Sequence, residues 1–397
     1  MPKFKSILNE NIKNKTVLLR ADLNVPMKNG AVSDDTRLQA ILPTLNYLVQ
    51  NKAKVVLISH FGRPEGVFNQ SMSLQPVVKY LANMVDFHIK FAPDCQGEIA
   101  KKAIQSTRFG EVVVLENLRF YKQETKGDVD FAKNLASFAD IYVNDTFSSS
   151  HRAHASITTV AEFLPSFAGL LMQSELENLS NLLESPQQPL MAIVGGAKVS
   201  TKIDLLNNLS KTAKIIVIGG GMANTFLYAN GHNIGKSLCE KDLADTALKI
   251  IETAKNNGCE IILPNDVVVA KQFVANSLSS NIDINSIQDD DLILDIGKNT
   301  IEQIANKINL CKTVVWNGPL GAFEIEPFHI GTQSVAKIVA NKTANKQLLS
   351  VAGGGDIVAA LNSAQLAQDF TYISTAGGAF LEWLEGKILP GVKVLQK

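Results

Sequence analysis

Short apolar runs alternate along this chain with longer stretches whose apolar residues recur every three or four positions. In the first half the runs are TVLL (16–19), KVVLIS (54–59), EVVVLE (111–116) and IYV (141–143). Runs without polar alternation fit strands buried on both faces, as in a parallel sheet. From Thr36 onward Leu38, Ile41, Leu42, Leu45 and Leu48 fall on one helical face, and further helices are expected near 74–85 and 129–139. The second half repeats the alternation with LMAIV (190–194), KIIVI (214–218), EIIL (260–263), KTVVW (312–316), LLSVA (348–352) and a strand over 372–375. Strands alternating with helices predict an α/β fold whose parallel sheets are covered by helices on both faces. The amphipathic stretch 173–185, followed by Pro186 and Pro189, predicts a long helix joining two lobes.

The two halves differ in the residues just past each strand. Ligands of open parallel sheets bind outside the C-terminal strand ends. In the first half those ends carry Asp22, Asn24, His60, Arg63, Asn117, Arg119, Asp145, His151 and Arg152, with Arg37 at the start of the first helix. Arginine suits bidentate binding of carboxylate and phosphate, so this rim predicts a site for a small, multiply charged anion. In the second half the ends are glycine clusters: Gly195 and Gly196, Gly219 to Gly221, and Gly353 to Gly355, with Lys198 and Lys202 beside the first. Glycine walls accept a flat base and let backbone N–H groups reach phosphates. The run QLLSVAGGGDI (347–357) passes from strand through three glycines into a helical pattern, a good phosphate cradle. Asp356 at that turn could hold magnesium, or it could simply cap the helix.

Composition narrows the partners. Lys plus Arg and Asp plus Glu both number 38, so no global field favours nucleic acid or an anionic membrane. All the arginines (Arg20, Arg37, Arg63, Arg108, Arg119 and Arg152) lie in the first 152 residues. Cys95, Cys239, Cys259 and Cys311 are widely spaced, which fits a reduced chain and argues against a zinc site. The N-terminal stretch lacks the apolar core of a signal peptide, and no run is long enough to span a bilayer. A cytoplasmic location is expected. Gly231–Ser237, GHNIGKS, is one residue short of a Walker A loop and reads as a turn, and no GxGxxG occurs. The acidic run Asp289–Asp291 reads as a solvated loop.

An anion site and a nucleotide site on separate lobes suggest phosphoryl transfer, which needs positioning, charge neutralisation and metal more than covalent chemistry. No nucleophile–base pair stands out. A carboxylate acceptor, already ionised at neutral pH, would require no base. A nicotinamide-dependent dehydrogenase would call for the missing GxGxxG, and a two-lobed anion-binding protein would show nucleotide binding that needs no magnesium.

The blocks VLLRADLNVP (17–26), SHFGRP, LENLRF, HRAHAS, VGGAKVSTK, GGGMANTF, WNGPLGAFE, AGGGD and STAGGAFLEWLEGKILPGV resemble those of the phosphoglycerate kinase family, in the same order and from end to end. The resemblance implies two Rossmann-like lobes joined by a long helix and hinge. It implies a 3-phosphoglycerate lobe over 1–172 with 385–397 packing back on it, a connector over 173–186, and a nucleotide lobe over 187–384. It further implies Mg2+-dependent transfer between ATP and 3-phosphoglycerate, giving ADP and 1,3-bisphosphoglycerate in glycolysis, by a monomer whose lobes close. Asp22, Asn24, Arg37, His60, Arg63, Arg119 and Arg152 would hold 3-phosphoglycerate. Arg37, Lys202, Gly377 and Gly378 would serve the transferred group. Gly195, Gly196, Lys198, Lys202, Gly219, Gly220, Glu324, Gly354, Gly355, Asp356 and Ile357 would bind nucleotide, and Asp356 the metal. Three departures stand out: Ile357 where the family usually has threonine, Ala376 for the first glycine of a triple, and TFSSSHR for a version bearing alanine and glycine.

Overall fold

The computed structural model describes residues 4–183, 186–374 and 376–396. The chain divides into two units, Met1–Glu177 with Ile388–Lys397, and Asn178–Lys387.

In the first unit the strands are β1 (Thr16–Arg20), the short hairpin β2 (Met27–Lys28) and β3 (Ala31–Val32), β4 (Lys54–Ile58), β5 (Ile89–Ala92), β6 (Val112–Leu115), β7 (Ile141–Asn144) and β8 (Ser166–Ala168). Apart from the hairpin they form one parallel sheet in the order β5-β6-β4-β1-β7-β8. Alternate side chains enter opposite cores. Val17, Leu19, Val55 and Leu57 pack with Leu38, Ile41 and Leu45 of the helix Thr36–Gln50. Leu18, Val56, Val113 and Leu115 pack with Phe131 and Leu135 of the helix Val129–Ala136. Register then decides what meets at the rim. Arg20 lies opposite Ile58 on one side and Asn144 on the other. Three strands therefore end level, and the chain after each emerges on the same edge.

The C-terminal segment belongs to this unit from Ile388. Gly391 N–H donates to Ser150 O at 2.8 Å, its carbonyl accepts from Asn144 Nδ2 at 3.1 Å, and Lys5 N–H donates to Leu395 O at 2.9 Å. The expected connecting helix is found as Leu170–Leu183, and the unit boundary falls within it. Glu184 and Ser185 of that expected segment, and Thr375 of the last expected strand, lie outside the described residues.

The second unit contains β9 (Leu190–Val194), β10 (Ile215–Ile218), β11 (Glu260–Ile262), β12 (Asp266–Ala270), β13 (Ser279–Asp283), β14 (Leu292–Ile296), β15 (Thr313–Asn317), β16 (Leu349–Gly353) and β17 (Tyr372–Ser374). Its large sheet is parallel, in the order β11-β10-β9-β15-β16-β17, with Trp316 fully enclosed in the core. An antiparallel sheet β13-β12-β14 joins it. The apolar pattern does not announce that small sheet, because β13 is the polar run SSNID. β5, IKFA, escapes the pattern for a similar reason: it is half-buried and interrupted by a lysine.

Two polar segments take a definite form in this unit. Gly231–Ser237 comes after the helix Gly221–Ala229 as a turn, as its spacing indicated. The acidic run is not a plain solvated loop. Asp291 is buried, accepts from Gln288 N–H at 2.8 Å and pairs with Lys271 at 2.9 Å, while Asp290 also pairs with Lys271.

Candidate active site

On the first unit, the level strand ends bring the arginine rim together. Asp22 is buried just past β1. Its Oδ1 accepts from Asn24 N–H at 3.0 Å, and its Oδ2 lies 3.2 Å from Arg37 Nη1. That same Arg37 nitrogen donates to the Asn24 carbonyl at 2.7 Å. Asn24 Oδ1 accepts from Gly62 N–H at 2.9 Å, and Arg119 Nη1 donates to Gly62 O at 2.7 Å. Arg37, Asp22, Asn24, Gly62 and Arg119 thus form one continuous brace. Arg119 is crowded: burial first, and then the charges of Arg152 and Arg20, push it down to about 10. Its Nε is enclosed without a hydrogen-bond partner. Arg152 Nε donates to His151 Nε2 at 3.1 Å, and Arg63 stands exposed at the edge.

Two strand-end residues that looked like rim groups are used up by the fold. Asn117 bonds Phe61 through both backbone groups and Met72 through its carbonyl. Asp145 Oδ1 accepts from Met172 N–H at 3.0 Å, at the start of the helix Leu170–Leu183, and burial pushes its carboxyl up to about 6. The departure TFSSSHR has a visible consequence: Ser148 Oγ donates to Asp22 Oδ2 at 2.6 Å. A hydroxyl of this chain therefore occupies one lone pair of the rim's carboxylate.

On the second unit, a cavity of about 360 Å³ opens beside the strand ends, with Gly196, Gly220, Gly221, Leu320 and Glu324 among its walls and Asp356 at its edge. The glycines are there because three turns cross at backbone distance. A Cβ on Gly195 would lie 1.8 Å from Pro319 O, and one on Gly219 would lie 2.4 Å from Leu320 Cδ2. Gly195 N–H also donates to Asn317 O at 2.8 Å. Gly195→Ala is expected to cost more than about 3 kcal/mol, the upper range for overpacking and strain. It should lower the thermal midpoint of the second unit in calorimetry, and a midpoint unchanged would mean that the crossing can relax.

Lys202 Nζ donates to Asn317 Oδ1, whose Nδ2 donates to Gly353 O at 2.6 Å. Burial lowers the lysine's pKa, while Glu385 and Asp356 act to raise it. Lys198 is exposed. The Gly353–Asp356 turn removes one of the two readings of Asp356, that of helix cap. The helix Gly355–Ser363 is capped by Gly354, at φ 109°, with no side-chain cap bond, so Asp356 does not cap it. The N–H groups of its first turn are left open to an anion. Ile357 is fully buried in the core. In the helix Gly378–Leu384, the positive φ, 51°, belongs to Gly377. Ala376 is buried, and its N–H donates to Ser374 Oγ at 3.3 Å.

The family model described as phosphoglycerate kinase matches residues 7–387. The chain belongs to that family. A phosphoglycerate kinase of Xanthobacter autotrophicus is 54% identical, with both chains covered in full. One from Brucella abortus is 53% identical over 99% of this chain and 100% of its own. Among solved structures, the phosphoglycerate kinase of Coxiella burnetii superposes with a TM-score of 0.91 at 42% identity, covering 99% of each chain. That of Pyrococcus horikoshii gives 0.83 at 32% identity, covering 98% of each. Its fold is accordingly the α/β family fold, with two parallel sheets flanked by helices.

Motif reading missed several residues that hold this family's rim and cavity in shape here: Arg20, Glu124, Ser156 and Asn317. Each sits inside a family block or just after one, but its partners are remote in sequence, as with Lys202 and Asn317. Asp295 is another. It lines the cavity, accepts from Gly331 N–H at 2.6 Å, and is pushed up to about 7 by burial. Between about pH 4 and about 7 the unfolded carboxyl ionises while the folded one stays protonated, so stability falls as pH rises through that window. Asp295→Asn should flatten the fall, by at most about 4 kcal/mol. Thermal midpoints across that range check it, and an unchanged slope would return Asp295 to the ordinary carboxylate range.

Proposed function

We propose that this chain transfers a phosphoryl group reversibly between ATP and the carboxylate of 3-phosphoglycerate. The observation that carries the reading is the brace of Arg37, Asp22, Asn24 and Arg119 on one unit. It is a rim of fixed donors suited to a small polyanion. The glycine-walled cavity ending at Asp356 on the other unit suits a nucleotide. On this reading the 1–172 portion with the C-terminal segment holds the acid, and 187–384 holds the nucleotide. Asp22, Asn24, His60, Arg63, Arg119 and Arg152 orient the acid. Arg37 and Lys202 neutralise the charge spread over the transferring group, and the N-terminal end at Gly377 and Gly378 serves the same group. Glu324 meets the ribose, and the open N–H groups of Gly355, Asp356 and Ile357 meet the phosphates.

The residues fit magnesium. Among the described residues no cluster of three or more acidic, histidine or cysteine side chains forms a protein cage. Asp356 is one exposed carboxylate beside an anion cradle, which is what a cation carried in by phosphates requires. Held by Asp356, magnesium would offset the negative charge of the phosphates. The protein's own part is to align acceptor and donor, since an ionised carboxylate needs no base. A cytoplasmic monomer working in glycolysis completes the proposal. No helix among the described residues is long and apolar enough to cross a membrane.

The test is turnover of 3-phosphoglycerate with ATP and magnesium, followed by coupled reduction of the bisphosphate product. Turnover that disappears when either magnesium or 3-phosphoglycerate is withheld supports the reading. Absence of turnover with both ligands bound would overturn it.

A further inference from the structure

Beneath the arginine rim runs a chain of polar groups closed off from solvent. Glu124, in the short helix Lys122–Thr125, is fully buried. Its Oε1 accepts from Ser156 Oγ at 2.7 Å and its Oε2 from Ser156 N–H at 3.0 Å. Ser156 Oγ accepts from Arg20 Nε at 3.0 Å. Arg20 is 1% exposed at the end of β1. Its Nη1 donates to the Ala21 carbonyl, and its Nη2 lies 3.0 Å from His60 Nδ1. Arg20 is therefore held from two sides, by Ser156 and the Ala21 carbonyl, and its Nη2 edge is aimed at one imidazole nitrogen.

That contact decides the chemistry of the histidine. A guanidinium has donors only and does not lose its proton in proteins. The ring nitrogen facing it must accept, so Nδ1 carries a lone pair and the proton of the neutral ring sits on Nε2. A protonated ring would set an N–H against an N–H. The surroundings all act in the same direction. Burial first, then the charges of Arg20, Arg119 and Arg152 and the nearby His154, hold His60 well below the usual histidine range. His154 itself is pushed down to about 4, by burial and then by Arg119 and Arg20, so it adds no cation at neutral pH.

We infer that His60 serves the acid-binding rim as a neutral Nε2–H donor, and that Glu124, through Ser156 and Arg20, is the positioning residue that sets this tautomer. The inference rests on the reading of the rim as the acceptor site. It deepens that reading in one respect: the cationic charge that meets the acid comes from arginine alone. Histidine supplies direction without charge, so binding of the acid should not follow a histidine titration. Glu124 lies below Arg20 and acts on it first among the arginines and on Arg119 after it, while burial raises its own carboxyl.

The experiment is 15N NMR of the imidazole nitrogens of the full chain without ligands, with His60 assigned from a His60→Asn variant. A bare Nδ1 and a protonated Nε2, persisting across about pH 5.5 to about 8.5, are expected. An Nδ1–H tautomer, or a midpoint near the ordinary histidine value, would overturn the inference. Glu124→Gln and Ser156→Ala should each let the second tautomer appear. Each should raise the KM for 3-phosphoglycerate about tenfold, with kcat and the KM for ATP changed less than about twofold. If Glu124→Gln does not fold, Ser156→Ala carries the same test. A tautomer and KM unchanged in Ser156→Ala would remove Glu124 from its role. The NMR signal needs no turnover. The expected tautomer in a chain inactive toward 3-phosphoglycerate would therefore sink the functional reading, and with it the service of His60 to the acid, and leave only the setting of the tautomer standing.

Discussion

Arg37→Ala should lower kcat by roughly 10³-fold, the scale found when an arginine that neutralises a transferring phosphoryl group is lost. Nucleotide affinity should stay within about twofold. The geometry explains the split. Arg37 sits in the first turn of the helix Thr36–Gln50, held by the Asn24 carbonyl at 2.7 Å and by Asp22 at 3.2 Å. Neither anchor belongs to the nucleotide cavity, so removing the side chain leaves that cavity intact. The anchors aim a fixed charge, and a pre-aimed charge is worth most in the transition state, where it needs no reorganisation. Steady-state kinetics with a calorimetric nucleotide titration measure both quantities. Unchanged turnover would remove Arg37 from the chemistry, and a matching loss of nucleotide affinity would place it in the wrong site.

Lys202→Met should lower kcat/KM for ATP by roughly 10² to 10³-fold and leave 3-phosphoglycerate binding unaltered. Methionine keeps the apolar stem, so the effect isolates the ammonium. In the free protein that ammonium is half-buried, depressed by desolvation and tied to Asn317. Phosphates arriving beside Asp356 would replace a neutral amide partner with anions, so the charge gains most when nucleotide is bound. The Asn317 bond also bears on the turn, because Asn317 Nδ2 holds the Gly353 carbonyl. Protein fluorescence titrations with ATP and with 3-phosphoglycerate separate the two affinities. Equal losses for both ligands would mean that Lys202 acts on the fold instead.

Legibility in the sequence varied with the range of the interaction. The strands around VLLR, KVVLI and LMAIV were legible because burial on both faces leaves uninterrupted apolar runs. The rim was legible because each strand ended in its own polar cluster. Asn117 and Asp145 misled because a polar residue at a strand end looks the same whether it waits for a ligand or closes a turn. Only their partners, Phe61 and Met72 for one and Met172 for the other, tell the two apart. Asp356 was ambiguous for the same reason, until Gly354 proved to be the cap residue. Ile357 seemed a loss at the phosphate cradle, and in the fold it is a fully buried core residue.

The amino-acid sequence by itself determined the alternation of strand and helix, the division into an arginine-bearing and a glycine-bearing half, and the family. These arise from local patterns of burial and from blocks of adjacent residues. The tertiary structure alone decided which groups are bound to one another: Ser148 to Asp22, Lys202 to Asn317, and Glu124 through Ser156 and Arg20 to His60. Hydrogen bonds are short and directional, and these partners lie 32 to 136 positions apart. No local pattern encodes such distances. They are set by strand register, which puts Arg20, Ile58 and Asn144 at one level and so fixes what the residues after them can touch.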